Sequence, residues 1–417
     1  MTALVAIMLI LLVWALVAGR LARVSVTMPL ALLLAGVLLT AGSDPYFVFI
    51  IDFESGEHAV EAILAILLFV DATEVPGGIF GREPRVMLRL LLIALPLSLI
   101  LAWATGIALF GGTGLWLLAA LATIVMPVDL APAAAFIRDR RVPERLRRLV
   151  NVESGLNDGL VAPVFLIAVA GAAAHGEDSL AEAAADAVPS LAVAVVVGAV
   201  VGSAAAWLLG KALDRGWTLP SALRIGVLAL PLLAYGTAIL LTGNGFVAAF
   251  VAGVFFEPAA RRLPKGTMHL SEDIGEMLSL ALWFIFGTIV NQVIASGAIT
   301  WQVVVYSLLA LTVVRVLPVV LSLLGTDVRV VDRFTIGWVG PRGIATLVFG
   351  MLAVVELPGD KNFVLAVTVV TIVASIVIHG LSTGVVIRLY DRAARKSASP
   401  EPAASGDTEG TVETDDR

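Results

Sequence analysis

Apolar runs of bilayer-crossing length recur along nearly the whole chain, and they leave few folds open. At roughly 20 residues per crossing, about thirteen segments can be drawn: 2–18, 26–42, 59–78, 86–110, 114–138, 143–174, 186–211, 220–241, 244–257, 271–296, 299–324, 331–356 and 361–389. Backbone amides find no water in hydrocarbon, so runs of this kind must satisfy themselves as helices. With 59% hydrophobic residues against 14% charged, the composition fits an all-α polytopic membrane protein and no soluble fold. The chain has no cysteine, which removes disulfides, thiol catalysis and cysteine-ligated metals from consideration. The net charge of −6 says little about partners, because such a chain meets water only at loops and ends, and nothing in it points to nucleic acid.

Charge tests the segment count. The first run has no basic residue before it and Arg20 and Arg23 after it, the reverse of a secretory signal peptide, so it reads as the first spanning helix. With the N-terminus outside, every Lys and Arg except Lys361, Arg315 and Arg342 falls in a cytoplasmic connection or in the tail, whereas the outer loops carry acids such as Asp44, Asp52, Glu177 and Asp178. This is the positive-inside pattern, and an even number of spans would break it. The expected location is a cell inner membrane, crossed many times. After Asp391 the chain is rich in Ser, Pro, Ala, Gly and acids and lacks the apolar surface needed to order itself. We therefore expect a transmembrane domain over 1–390 and a disordered cytoplasmic tail over 391–417.

An odd count also allows two inverted six-helix repeats about a linking seventh helix, which makes the fifth segment the counterpart of the twelfth. Each is interrupted near its middle, by Met126-Pro127-Val128-Asp129-Leu130-Ala131-Pro132 in one and Gly337-Trp338-Val339-Gly340-Pro341-Arg342-Gly343 in the other. Broken helices in matching positions of inverted repeats mark the midplane binding sites of transporters. The plainer alternative is two unrelated kinks, since Pro and Gly are common in membrane helices. Charges beside both breaks favour the repeat.

The chemistry concentrates in the fifth and sixth segments. An ionisable side chain at the centre of a spanning segment costs roughly 2.5–3.5 kcal/mol on insertion scales, which points to function. Ser154, Asn157 and Asp158 are three or four residues apart and share a helical face, where their oxygens can converge on one cation. Glu153 lies five residues before Asp158, faces elsewhere at 3.6 residues per turn, and needs its own partner; Arg315 and Arg342 are the buried cations available. A lone carboxylate facing a polar cavity holds a proton or a hard monovalent cation but not both, and that competition is the minimum needed for exchange. Loaded, such a site is near neutral; empty, it is charged and expensive to carry through a closed, low-dielectric state. The unwound fifth segment would add freed carbonyls as ligands, Val128 contributing only its carbonyl. Asp158 can alternatively be a structural acid paired to an Arg, and Asp129 a cap on a half-helix N-terminus.

These residues resemble the electroneutral sodium/proton exchanger branch of the bacterial cation/proton antiporter superfamily. The strongest marks are Glu153-Ser154-Gly155-Leu156-Asn157-Asp158-Gly159, the step from Asp129 to Asp158, Arg315-Val316-Leu317-Pro318, and the run Gly337 to Gly343; lesser ones are Leu68-Phe69-Val70-Asp71-Ala72, Gly243-Asn244-Gly245-Phe246 and His379-Gly380. The resemblance implies a homodimer in which a core of segments 4–6 and 11–13 moves against a dimerisation unit of segments 1–3 and 7–10. It implies that the two broken helices cross, that Asp158 carries ion and proton, that Ser154 and the backbone near Val128 assist in holding the metal ion, and that Glu153 pairs with an Arg. Asn157, where the electrogenic branch has a second Asp, implies one-for-one exchange. Two positions depart from the family pattern. Its Thr-Asp-Pro is Val128-Asp129-Leu130 here, which removes a hydroxyl and bears on sodium selectivity. The acid often found in the third segment aligns at Val70 or Asp71, so Asp71 is either a replacement ligand or an interfacial, helix-pairing acid.

The leading expectation is a secondary transporter exchanging sodium for protons by alternating access, with no resident cofactor and no enzymatic activity. Potassium/proton exchange by the same mechanism is the near alternative, motivated by Val128. A pair of intramembrane aspartates also suits an aspartyl protease, but Val128-Asp129 and Asn157-Asp158 lack that class's Tyr-Asp and Gly-x-Gly-Asp contexts, and Arg315 and Arg342 would go unused. A passive channel is disfavoured by the short loops and the paired breaks. Three of the four histidines (His58, His175, His269, His379) sit near predicted loops, and Glu272, Asp273 and Glu276 read as an acidic cytoplasmic mouth or a solvated helix end.

Overall fold

The computed structural model describes residues 2–23, 27–41, 53–73, 83–173 and 180–398, and those residues contain helices and no strand. A helix occupies each of the thirteen expected segments. The first four are α1 (Thr2–Arg23), α2 (Met28–Thr40), α3 (Phe53–Thr73), and the pair α4 (Pro84–Arg89) and α5 (Leu95–Leu109) joined by a π-helical turn over Leu90–Ala94. That turn sits just ahead of Pro96, whose missing N–H cannot sustain the regular ladder. The fifth segment is split into α6 (Leu115–Val125) and α7 (Ala134–Arg138), with non-helical chain and a 3₁₀ turn over Ala131–Ala133 between them. Segments six to ten are the unbroken α8 (Glu144–Ala173), α9 (Leu180–Asp214), α10 (Pro220–Leu240), α11 (Gly245–Ala260) and α12 (His269–Ala295). The eleventh is split into α13 (Trp301–Leu311) and α14 (Val313–Ser322), the twelfth into α15 (Val330–Trp338) and α16 (Ile344–Glu356), and the last is α17 (Lys361–Ala398).

Seven of these helical runs are by themselves long and apolar enough to cross a membrane. Of the others among the described residues, the fifth and twelfth segments are split into half-helices and α2 and α11 are short apolar helices, whereas α1 and α3 run over 22 and 21 residues. The eleventh segment breaks at Thr312 (φ −118°, ψ −97°), an interruption that the sequence reading did not expect. No Pro or Gly marks it. The Thr312 hydroxyl bonds back to the Leu308 carbonyl at 2.6 Å, the local side-chain competition that bends membrane helices.

Close helix approach is bought with small residues. Gly36 of α2 faces Gly287 of α12, where a Cβ would lie 2.8 Å from the partner Cα, and Gly253 of α11 faces Phe69 of α3, where a Cβ would lie 2.6 Å from the carbonyl oxygen. The apolar core has two parts. The larger runs through α2, α3, the split segments, α8, α12 and α17; the smaller gathers Phe69 with residues of α9, α10 and α11. Large side chains such as Leu16, Val200, Trp207, Leu240 and Leu381 point outward, as hydrocarbon solvent allows.

On the face that carries the basic connections, Arg145 at the start of α8 pairs with Glu83 before α4 (Nε to Oε1 2.8 Å) and with Asp327 between α14 and α15 (2.9 Å). Arg89 donates to the Ser322 and Leu324 carbonyls that α14 leaves open. These ties hold the ends of segments four, six, eleven and twelve together on one side. Helix α17 continues through 391–398, where the tail was expected to begin; the remainder of the tail, 399–417, and the outer-loop acids Asp44, Asp52, Glu177 and Asp178 lie outside the described residues.

Candidate functional site

The breaks of the fifth and twelfth segments meet. The Asp129 N–H donates to the Pro341 carbonyl at 2.9 Å, so one interruption is stitched to the other by backbone. Breaking a helix exposes N–H groups at one end and carbonyls at the other, with partial charges of opposite sign. Two ionic side chains answer them, the partly buried Asp129 and the fully buried Arg342. One oxygen of Asp129 accepts from the Ala131 N–H at 2.8 Å, and the other accepts from the Ile344 N–H at 2.9 Å. A single carboxylate therefore caps its own turn and the N-terminus of α16. Gly343 is needed for room: an added Cβ would overlap the Asp129 carboxylate.

Arg342 is the complement. Its guanidinium donates to the carbonyls of Met126 and Pro127 at the end of α6 (the latter at 3.0 Å) and to that of Ala310 at the end of α13 (3.1 Å). The expectation that Arg342 serves as an ion-pair partner is corrected accordingly: its Nη1 and Nη2 donate to carbonyls freed by two helix breaks. Glu153 pairs with Arg315, Nη2 to Oε2 at 2.7 Å, and both are buried. Arg315 also lies over the twelfth-segment break, its Nε 3.0 Å from where a Cβ on Gly340 would stand.

Asn157 departs from the expected face. Its Nδ2 donates to the second Glu153 oxygen at 3.1 Å, which turns the amide toward the ion pair, leaving its Oδ1 buried without a partner among the described residues. Ser154 is where the spacing put it, its hydroxyl donating to the Val128 carbonyl at 2.8 Å. That bond uses the hydroxyl's proton and leaves oxygen lone pairs open.

Asp158 is buried on α8, has the Val128 backbone amide beside it, and lies within electrostatic reach of Asp71, Asp129 and Glu153. One of its carboxylate oxygens has no partner among the described residues. Val128 thus contributes an amide as well as a carbonyl, a role its side chain could not disclose. Asp71, half-buried on α3, is brought to the same place by Gly155, where a Cβ would sit 3.2 Å from the Asp71 carbonyl oxygen. Gly159 lets the Phe250 ring of α11 lie against α8. The two glycines of the Glu153 to Gly159 run are therefore packing requirements that bring α3 and α11 to the acid. Asp129 is near as well, but both of its oxygens cap helices, so the capping alternative describes it. Thr312 and Ser375, which touch this machinery, were not singled out from sequence; Ser375 is foreshadowed by a polar residue every three or four positions along α17, at Thr371, Ser375 and His379.

The family model described as "Sodium/hydrogen exchanger, transmembrane" matches residues 5–389. A Na(+)/H(+) antiporter of Schizosaccharomyces pombe is 25% identical over 362 residues, which cover 78% of this chain and 76% of that protein. A K(+)/H(+) antiporter NhaP2 of Shewanella oneidensis is 27% identical over 290 residues, 67% of this chain and 47% of the relative, so the chain spans about half that protein's length. Among solved structures, the sodium proton antiporter MjNhaP1 from Methanocaldococcus jannaschii at pH 8 has the same fold, with a TM-score of 0.73, 17% identity, and coverage of 93% of this chain and 98% of the other.

Proposed function

We propose, from the premise that this chain belongs to the sodium/hydrogen exchanger family, that it is a secondary transporter exchanging a monovalent cation for a proton, one for one, with Asp158 as the shared site. The family is one of transporters, and no catalysis is proposed. The observation that carries the reading is the unpartnered oxygen of a buried aspartate at the meeting point of two broken helices. Such an oxygen can take a proton or be a ligand to a hard cation. The oxygens of Ser154 and Val128 stand beside it as further ligands, Asp71 lies at the same place, and the amide of Val128 faces the carboxylate. Either load cancels the charge, so the loaded site can pass through an occluded state that the bare carboxylate would make unfavourable.

Sodium is the first expectation for the cation, supported by the yeast relative named for it. Potassium is the second, supported by the Shewanella relative and by Val128, whose side chain offers no oxygen. The reading extends to a homodimer in a cell inner membrane, N-terminus outside and tail in the cytoplasm, with segments 4–6 and 11–13 moving against segments 1–3 and 7–10. Sealed proteoliposomes with an imposed pH gradient test it: sodium or potassium, added in turn, dissipates the gradient without a voltage shunt, and Asp158→Asn abolishes this. Equal activity of Asp158→Asn and the parent would remove Asp158 from the mechanism, and dissipation only with a shunt would overturn the one-for-one stoichiometry.

A further inference from the structure

Arg342 is held at both ends. Its guanidinium grips the carbonyls of Met126, Pro127 and Ala310, and its backbone N–H donates to the Ser375 hydroxyl of α17 at 2.7 Å. That amide lies in the non-helical stretch between α15 and α16, next to a proline with no N–H to share, and a buried amide must find a partner. Behind Ser375 stands His379, one turn further along α17, with Nδ1 3.1 Å from the hydroxyl and 3.1 Å from the Ser375 carbonyl. The hydroxyl accepts from Arg342, and His379 Nδ1 is in hydrogen-bond reach of both that hydroxyl and the Ser375 carbonyl, donating or accepting according to its tautomer. Both side chains are almost completely buried, and nothing in the ion-binding chemistry above uses either.

We infer that Ser375, backed by His379, is a positioning residue for cation binding. It fixes the Arg342 backbone; Arg342 fixes the Met126 and Pro127 carbonyls; and the next residue, Val128, presents its carbonyl to Ser154 and its amide to Asp158. The links from Ser375 through Arg342 to the Met126 and Pro127 carbonyls and from Val128 to Ser154 are direct hydrogen bonds or peptide bonds, and the Val128 amide lies beside Asp158, so the chain is physical rather than a matter of proximity. The functional half of this inference rests on the exchange reading; the structural half, that α17 holds the fifth-segment break through Arg342, does not.

Two measurements on the full chain separate these halves. In proteoliposomes, Ser375→Ala should raise the half-saturating cation concentration roughly five- to tenfold, the factor carried by one buried hydrogen bond, with the maximal rate kept; Ser375→Thr, which retains the hydroxyl, should restore the parent value. A purely structural role would lower the maximal rate and leave half-saturation alone, and that result overturns the inference. In detergent, hydrogen–deuterium exchange in Ser375→Ala should rise at 126–130 as well as at 340–344. A rise confined to 340–344 overturns it independently of transport. If the parent moves no cation, the exchange reading falls, and the amide data at 126–130 still decide the anchoring. Should Ser375→Ala not fold, His379→Leu, which removes the imidazole behind the hydroxyl, is read in the same assays: the same directions support the inference, and parent-like values in both reject it.

Discussion

Replacing Arg315 by Met strands a carboxylate in the interior, and the structure says how much that matters. Arg315 and Glu153 are 1% and 0% exposed and meet at 2.7 Å. Desolvating each charge costs several kcal/mol, which their mutual attraction offsets only while both are present. Their bond is single-pronged: the Arg315 Nε has no partner among the described residues, and the second Glu153 oxygen is taken by Asn157. A pair without the bidentate fork belongs at the low end of the range for breaking buried pairs, so Arg315→Met should destabilise by about 3 kcal/mol. Glu153→Leu should do the same by stranding the guanidinium. The double variant strands neither charge and should be no less stable than either single variant, a coupling of about 3 kcal/mol or more. Thermal unfolding of the parent, both single variants and the double variant, purified in one detergent, closes the cycle. Simple addition of the two single effects would refute the claim that these charges compensate each other.

Two further substitutions probe the site and its scaffold. Val128→Thr restores a hydroxyl beside the carbonyl that Ser154 engages; it should shift the ratio of half-saturating concentrations several-fold toward sodium over potassium, and an unchanged ratio would exclude side chain 128 from selectivity. Gly343→Ala should push the Asp129 carboxylate off the Ile344 N–H, lowering stability by about 1–2 kcal/mol, the value of a lost N-cap. Asp129→Ala should do likewise, and the two losses should not add in the double variant, as thermal unfolding will report.

Much of the architecture was legible because membrane helices announce themselves by length and apolarity, and because basic residues order the loops. The fifth and twelfth breaks were legible for a local reason: Pro127, Pro132, Gly340, Pro341 and Gly343 cannot sustain a ladder of N–H donors in a spanning helix. The break at Thr312 carries no such residue and was missed. Site contacts were legible where helical spacing decides them, as for Ser154 and Asp158 on one face. They were not where a contact crosses the fold. Spacing offered both Arg315 and Arg342 to Glu153; the choice follows from where α6 and α13 end, since their open carbonyls take Arg342. Nor does spacing within α8 say that the Asn157 amide prefers Glu153 to the cation, because that depends on which oxygen Arg315 leaves free.

That orientation of Asn157 bears on what sets the stoichiometry. In the core, Asp129 faces two helix N-termini, Arg342 faces two C-termini, and Glu153 is matched by Arg315. Of these three carboxylates, Asp158 keeps an oxygen without a partner among the described residues, and on the exchange reading one positive charge satisfies it. A second aspartate at 157 looks like a simple way to demand two charges. Here it is not simple, because Asn157 Nδ2 lies 3.1 Å from a Glu153 oxygen. Asn157→Asp places one carboxylate oxygen against another at that distance, and two like charges so close in a low-dielectric interior cannot both stay ionised. Either one of them keeps a proton or Arg315 is shared between them, and the negative charge that can be traded remains one. Asn157→Asp should therefore lose stability and activity and still exchange without current. A steady, cation-dependent current in planar bilayers or a need for a voltage shunt in vesicles would show that position 157 sets the stoichiometry by itself, whatever stands at Glu153.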